Sequence, residues 1–241
     1  MYAAIWITIS LLLLPGLARA AECRALSFED TPFTVCEADP ARDDIRLFLS
    51  GADGAPIGTF DNLRDSLDGA DLIFAMNAGM YHPDRRPVGL YIEDGKEAAR
   101  IVTRDGPGNF ALLPNGVLCL GANGVAVIES REFAADPPDC IYATQSGPML
   151  VIDGKLHPRF LRNSDSLNIR NGVGVTTDGR MIAVISDRRV NFHRFGRLFR
   201  DVLKTPNALF LDGRVSRLYA PALGRHDPGF PMGPILGVVE K

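Results

Sequence analysis

Asn115-Gly116-Val117-Leu118-Cys119-Leu120-Gly121-Ala122-Asn123-Gly124-Val125-Ala126-Val127-Ile128 carries two short apolar runs, each introduced by an Asn-Gly pair. Asn-Gly supplies the left-handed residues that a tight hairpin turn requires, so the stretch reads as turn, strand, turn, strand. The same pattern extends in both directions. Upstream lie Ile45 to Leu49, Leu72 to Met76, Val88 to Ile92 and Phe110 to Leu113. After Val117 to Leu120 and Val125 to Ile128 come Met149 to Ile152, Val173 to Thr176, Met181 to Ile185, Leu209 to Leu211 and Ile235 to Val239. Asp94-Gly95, Asp153-Gly154 and Asp178-Gly179 punctuate them. The pattern predicts a mainly antiparallel, strand-rich chain.

Two segments depart from it. Between Phe192 and Lys204, Phe195, Leu198, Phe199, Val202 and Leu203 recur at helical spacing, with Arg194, Arg197, Arg200 and Asp201 on the other face and Pro206 as a stop. A shorter helix is expected over Asn62 to Leu67. The order strand, helix, strand across 181–211 forms a crossover unit, which predicts that its two strands are parallel neighbours. The expected class is therefore α+β: a strand-rich mixed β-sheet with a few helices in a single domain.

Ala3 to Leu17 is an apolar run broken by Pro15-Gly16 ahead of Ala18-Arg19-Ala20, a small-x-small cleavage site. Residues 1–20 thus read as a cleaved signal peptide and 21–241 as the working domain, periplasmic or secreted. The run falls short of the about 20 residues a spanning helix needs, so no membrane anchor is expected. The chain has 26 basic and 29 acidic residues, and losing Arg19 with the leader takes its net charge from -3 to -4. Such a surface repels nucleic acid. Four cysteines in an oxidising compartment favour two disulfides. Cys23 with Cys36 and Cys119 with Cys140 are the pairings that close short local loops. With no Cys-x-x-Cys, and His82, His157, His193 and His226 scattered, no metal or other cofactor is expected.

Polar and glycine residues stand at the ends of several apolar strands. Asn77 in Phe74-Ala75-Met76-Asn77-Ala78-Gly79-Met80-Tyr81 can donate and accept hydrogen bonds, while Gly79 lets backbone approach a ligand; a turn closed by an asparagine is the bland alternative. Thr144-Gln145-Ser146-Gly147-Pro148 lacks the first glycine of a nucleophile elbow, which argues against a serine hydrolase. Its amide and hydroxyl groups shape a pocket or merely form a turn. Arg170, in Asn168-Ile169-Arg170-Asn171-Gly172, is a candidate to clamp an anion through its planar fork, a surface ion pair being the bland alternative. Asp212 ends the apolar run of Asn207-Ala208-Leu209-Phe210-Leu211-Asp212-Gly213, ahead of Ser216, where a carboxylate presented at a strand end and a common Asp-Gly turn are equally open readings. Asp187, after the Met181 run, is a second carboxylate candidate, expected on a strand beside that of Asp212.

Taken in order, Asn77-Ala78-Gly79-Met80-Tyr81, Gln145-Ser146-Gly147-Pro148-Met149-Leu150, Arg170-Asn171-Gly172-Val173-Gly174 and Leu211-Asp212-Gly213 resemble the phosphodiester glycosidase family, in particular a bacterial, exported branch of it. The resemblance runs from about Leu72 to Val239. It implies hydrolysis between a sugar's anomeric carbon and a phosphodiester oxygen. Arg170 would hold the phosphate, and Asp212 would act as base or nucleophile, with Asp187 in reserve. Asn77, Gln145, Ser146, Asn171 and Ser216 would bind substrate, with Gly79, Gly147 and Gly213 giving close backbone access. Relatives usually continue the last motif as Asp-Gly-Gly-Gly-Ser, whereas here it reads Asp212-Gly213-Arg214-Val215-Ser216. The implied partner is a sugar-phosphodiester or glycan substrate, and the oligomeric state is left open. The competing expectation is a non-catalytic envelope protein that binds sugar phosphates or glycans. A metal-dependent phosphodiesterase lacks a ligand cluster in this sequence.

Overall fold

The structure, a computed structural model, describes residues 21–241; the expected signal peptide lies outside the described residues. The chain opens with β1 (Glu22–Phe28), β2 (Thr31–Ala38), β3 (Asp44–Phe48), α1 (Phe60–Asp65), β4 (Leu72–Asn77), β5 (Tyr91–Glu93) and β6 (Lys96–Ala99). It continues through β7 (Gly116–Gly121), β8 (Gly124–Glu129), α2 (Ser130–Ala135), β9 (Cys140–Ser146), β10 (Met149–Ile152) and β11 (Lys155–Leu156). Then follow β12 (Asn171–Val175), β13 (Met181–Ser186), α3 (Phe192–Arg197), β14 (Asn207–Phe210), β15 (Leu218–Ala220), β16 (Arg225–His226) and β17 (Ile235–Val239). The result is a single, strand-rich α+β domain.

Three sheets form. The first has seven strands in the order β1-β2-β13-β12-β14-β10-β11. The second runs β16-β15-β4-β17-β3 and the third β6-β5-β9-β7-β8. Each sheet turns one face to a shared core and the other to a private layer carrying one helix. Alternation along the strands, which sends successive side chains to opposite faces, achieves this. Met181, Ala183 and Ile185 of β13 enter the shared core, while Ile182 and Val184 meet Phe195, Leu198 and Phe199 on the α3 side. Phe74 and Met76 of β4 face the shared core, with Ala75 toward Phe60 and Leu63 of α1; Leu72 joins that outer layer because a bulge in the β4–β17 pairing shifts the register there. Leu118 and Leu120 of β7 do the same, with Val117 and Cys119 toward Phe133 of α2.

The hairpin signals mostly act as expected. Asp94-Gly95 and Asp153-Gly154 place both turn residues at positive φ, joining β5 to β6 and β10 to β11. Asn115-Gly116 does not link two strands. The expected strand at Phe110 to Leu113 is a turn, closed by Asn115 Nδ2 donating to the Phe110 carbonyl at 2.9 Å. The expected strand from Val88 forms only from Tyr91.

The crossover expectation is corrected. β14 and β13 are not neighbours, because β12 lies between them and pairs antiparallel with both. The other edge of β13 is taken by β2, so no edge remained for β14. Every ladder between the described strands is antiparallel. The long helix starts at Phe192 under an Asn191 cap, becomes π-helical over Leu198–Val202, and ends at Lys204 with φ 55. That shift in winding leaves Val202 exposed rather than in the core.

Both expected disulfides form. Cys23 and Cys36 face each other across β1 and β2, and Cys119 of β7 joins Cys140 of β9. Among the described residues no helix is long and apolar enough to cross a membrane.

Candidate active site

Arg170 immediately precedes β12 and Asp212 closely follows β14. The two strands pair with Gly172 opposite Phe210, and bonds from Leu211 N to Asn171 O and from Asn171 N to Asp212 O extend the ladder. Continuing that register sets Arg170 opposite Asp212. Both line a cleft of about 550 Å³ together with Tyr81, Asn109, Asn168, Gly213 and Arg214.

Arg170 is fully buried. Its guanidinium lies 3.6 Å from the Phe192 ring centre and 5.3 Å from that of Phe210. Nε donates to the Val190 carbonyl and Nη2 to the Ser166 carbonyl, both at 2.9 Å. Nη1 has no hydrogen-bond partner. It lies on the Gly213 side, 3.7 Å from where a β-carbon on that glycine would sit. Burial disfavours the cation and pushes its pKa down to about 10, so it stays charged at neutral pH. A buried guanidinium with an idle N–H edge and no bonded carboxylate has the chemistry to receive an anion.

Burial also pushes the Asp212 carboxyl above its ordinary value, opposed by the backbone N–H groups of Arg214, Gly213 and Val215. Arg214 N donates to Oδ1 at 2.8 Å, and Asp212 N donates to Asn171 Oδ1 at 3.0 Å. Ser216 Oγ lies 2.5 Å from the Asp212 carbonyl, the nearer acceptor for its single proton, and 3.2 Å from that of Ile169, clipping the loop shut behind the carboxylate.

The remaining expected ligands lie behind the cleft. Asn77 and Asn171 are fully buried and bonded to each other, Asn171 Nδ2 donating to the Asn77 carbonyl at 2.8 Å. Asn77 Oδ1 also accepts from Arg217 N at 2.9 Å. The pair joins the end of β4 to the start of β12 and holds the Asp212 backbone. Gln145 uses its whole amide internally: Oε1 accepts from Leu90 N and Val102 N, while Nε2 donates to Val102 O and Ser130 Oγ. Ser146 Oγ donates to the Leu211 carbonyl at 2.7 Å. Gly79 and Gly147 are packing sites, where an added β-carbon would meet the Gln145 carbonyl at 2.5 Å and the Phe110 carbonyl at 2.6 Å. Of the expected glycines, Gly213 lines the cleft.

Asp187 stands apart. Because β12 intervenes, its strand is not beside that of Asp212; Asp187 pairs instead with Arg225 and accepts from Thr34 Oγ1 at 3.2 Å. Tyr81, Asn109, Asn168 and Arg214 line the cleft without having been assigned a role from sequence. Tyr81 closes the first motif and Asn168 opens the third, so position within those segments was the available signal. Among the described residues no group of three His, Cys, Asp or Glu side chains gathers as a metal site would require.

Residues 70–232 match the phosphodiester glycosidase family. The chain is 32% identical over 214 residues to the uncharacterized protein YigE of Escherichia coli K12, covering 88% of this chain and 84% of that protein. Its fold is similar to the zebrafish N-acetylglucosamine-1-phosphodiester alpha-N-acetylglucosaminidase catalytic domain, auto-inhibited by its pro-peptide. That match has a TM-score of 0.64 at 15% identity, over 94% of this chain and 86% of the other. A hypothetical protein from Synechocystis matches with a TM-score of 0.57 at 15% identity, over 92% and 62% of the two chains.

Proposed function

The chain belongs to the phosphodiester glycosidase family, and from that premise we propose that its cleft hydrolyses the bond between a sugar's anomeric carbon and a phosphodiester oxygen. The observation that carries the reading is the buried Arg170 with an idle Nη1 in the same cleft as Asp212. One group meets the phosphate's charge; the other acts at the sugar.

A phosphodiester leaving group is a weak base, so the reaction needs no strong general acid. What it needs is stabilisation of an oxocarbenium-like transition state and of the departing anion. Asp212 takes a proton from water as the water oxygen bonds to the anomeric carbon. The carbon–oxygen bond to phosphate breaks, and the bridging oxygen leaves with the phosphate, whose charge Arg170 holds. Asn77, Asn171, Ser146 and Ser216 position the Asp212 loop from behind.

The setting we propose is outside the cytoplasm, periplasmic or secreted. The two disulfides and the apolar leader with its small-residue cleavage site support that reading.

The test is release of reducing sugar from a sugar 1-phosphodiester by the purified protein. Asp212→Asn is expected to lower turnover by at least 100-fold, and equal rates in both proteins overturn the assignment. Arg214 favours a second reading. It lines the cleft where relatives usually carry glycine, and binding of the phosphodiester without turnover in the wild type would select a sugar-phosphate-binding protein.

A further inference from the structure

Among the described residues, four buried side-chain polar atoms lack a hydrogen-bond partner: Tyr81 Oη, Asn115 Oδ1, His157 Nε2 and Arg170 Nη1. Two of the four, Tyr81 Oη and Arg170 Nη1, belong to residues lining the cleft that holds Asp212. They come from different sheets. Tyr81 follows β4 of the second sheet, and Arg170 precedes β12 of the first.

A buried donor with nothing to bond destabilises the free protein, and a ligand oxygen placed between two such donors relieves both. The tyrosine ring is held firmly enough to serve. Gly233 packs against it so closely that a β-carbon there would lie 2.5 Å from Tyr81 Cγ, and the Arg85 guanidinium lies 5.5 Å from the ring centre. The backbone N–H of Gly233 acts on the phenol oxygen but falls outside hydrogen-bond geometry. As a donor itself, it cannot accept the phenol proton. Burial, and after it the charge on Asp212, holds the phenol above its ordinary value, outweighing the opposing pull of Arg85 and Arg217. The hydroxyl therefore keeps its proton and remains a donor.

We propose that the Tyr81 hydroxyl is a substrate-binding group, donating a hydrogen bond to a phosphoryl oxygen whose charge the idle edge of Arg170 meets. The proposal rests on the glycosidase reading for the identity of the substrate. The chemistry of the site, two unsatisfied donors on residues that line one cleft, specifies only an anionic oxygen ligand.

Tyr81→Phe removes the hydroxyl and keeps the ring. With inorganic phosphate as the probe, calorimetric titration is expected to show affinity falling about 5- to 20-fold in Tyr81→Phe. Its own melting temperature should equal or exceed that of the wild type, because an unsatisfied polar atom has gone. With the sugar 1-phosphodiester, the loss should fall on KM at least as strongly as on kcat. A wild type that does not bind phosphate, or a Tyr81→Phe protein that binds it equally well, overturns the proposal. So does a variant that unfolds or melts several degrees lower, since its hydroxyl would then be bonded within the fold. Lost turnover in Asp212→Asn with unchanged phosphate affinity in Tyr81→Phe sinks the Tyr81 assignment alone. Unchanged turnover in Asp212→Asn with weakened phosphate binding in Tyr81→Phe sinks the glycosidase reading and keeps Tyr81 as an anion donor.

Discussion

Asp212 is held between two opposed influences: burial disfavours its charge, and three backbone N–H groups favour it, with burial the stronger. A base must be ionised, so activity should fall as pH drops through a pKa above the ordinary aspartate value of 3.8. We expect kcat/KM against pH to show that acid limb; a limb at or below 3.8 would mean the carboxylate is not the base. The same shift acts on stability. Between the ordinary and the raised pKa the native state binds more protons than the unfolded chain, so stability declines as pH rises through that window and stays lower above it. Asp212→Asn should therefore melt no lower than the wild type at neutral pH. At this scale the sequence displayed polar residue types at strand ends, and of these Arg170 and Asp212 line the cleft. It did not display that the amides of Gln145 and Asn77 are bonded within the fold, because a sequence shows an amide's hydrogen-bonding capacity but not the backbone groups that will use it up.

Gln145 belongs to β9, yet its amide stitches three other segments together: the chain before β5 at Leu90, the loop at Val102 and the start of α2 at Ser130. Replacing it with leucine would leave two backbone N–H groups and a carbonyl buried without partners, a loss of about 2–4 kcal/mol in unfolding free energy. Urea denaturation should show that drop, with KM unchanged in the protein that remains folded. Unaltered stability with a raised KM would return Gln145 to the ligand role its motif first suggested. Elements were legible in the same uneven way. Asp94-Gly95 and Asp153-Gly154 announced their hairpins, but the β1–β2 turn is Glu29-Asp30, with φ 48 and 58. Two acidic residues without glycine give no hairpin signal, and the hairpin was missed with them. The parallel pair failed for a different reason. A strand–helix–strand order implies neighbours only if an edge is free, and the β12–β13 hairpin together with β2 had already filled both edges of β13.

Across the whole molecule, composition allowed one domain, but alternation within each strand could not say that three sheets would share a core. That arrangement depends on which strands pair at long range, and residues such as Met76, Leu118 and Ala183 look alike in sequence though they enter the core from different sheets. The disulfides respect the division. Cys23–Cys36 lies within the first sheet and Cys119–Cys140 within the third, so neither ties one sheet to another. Arg170 and Asp212 both project from the first sheet, and Tyr81 from the end of a second-sheet strand. Removing Cys119–Cys140 should therefore loosen the unfolded chain by about 3 kcal/mol without moving Arg170 and Asp212. Cys119→Ser/Cys140→Ser is expected to melt well below the wild type yet turn over the phosphodiester at nearly the wild-type rate at temperatures where it remains folded. An unchanged melting temperature would refute the energetic half of that statement. Lost turnover in a folded double variant would refute the structural half, because it would mean that the third sheet shapes the cleft through more than the loops it carries.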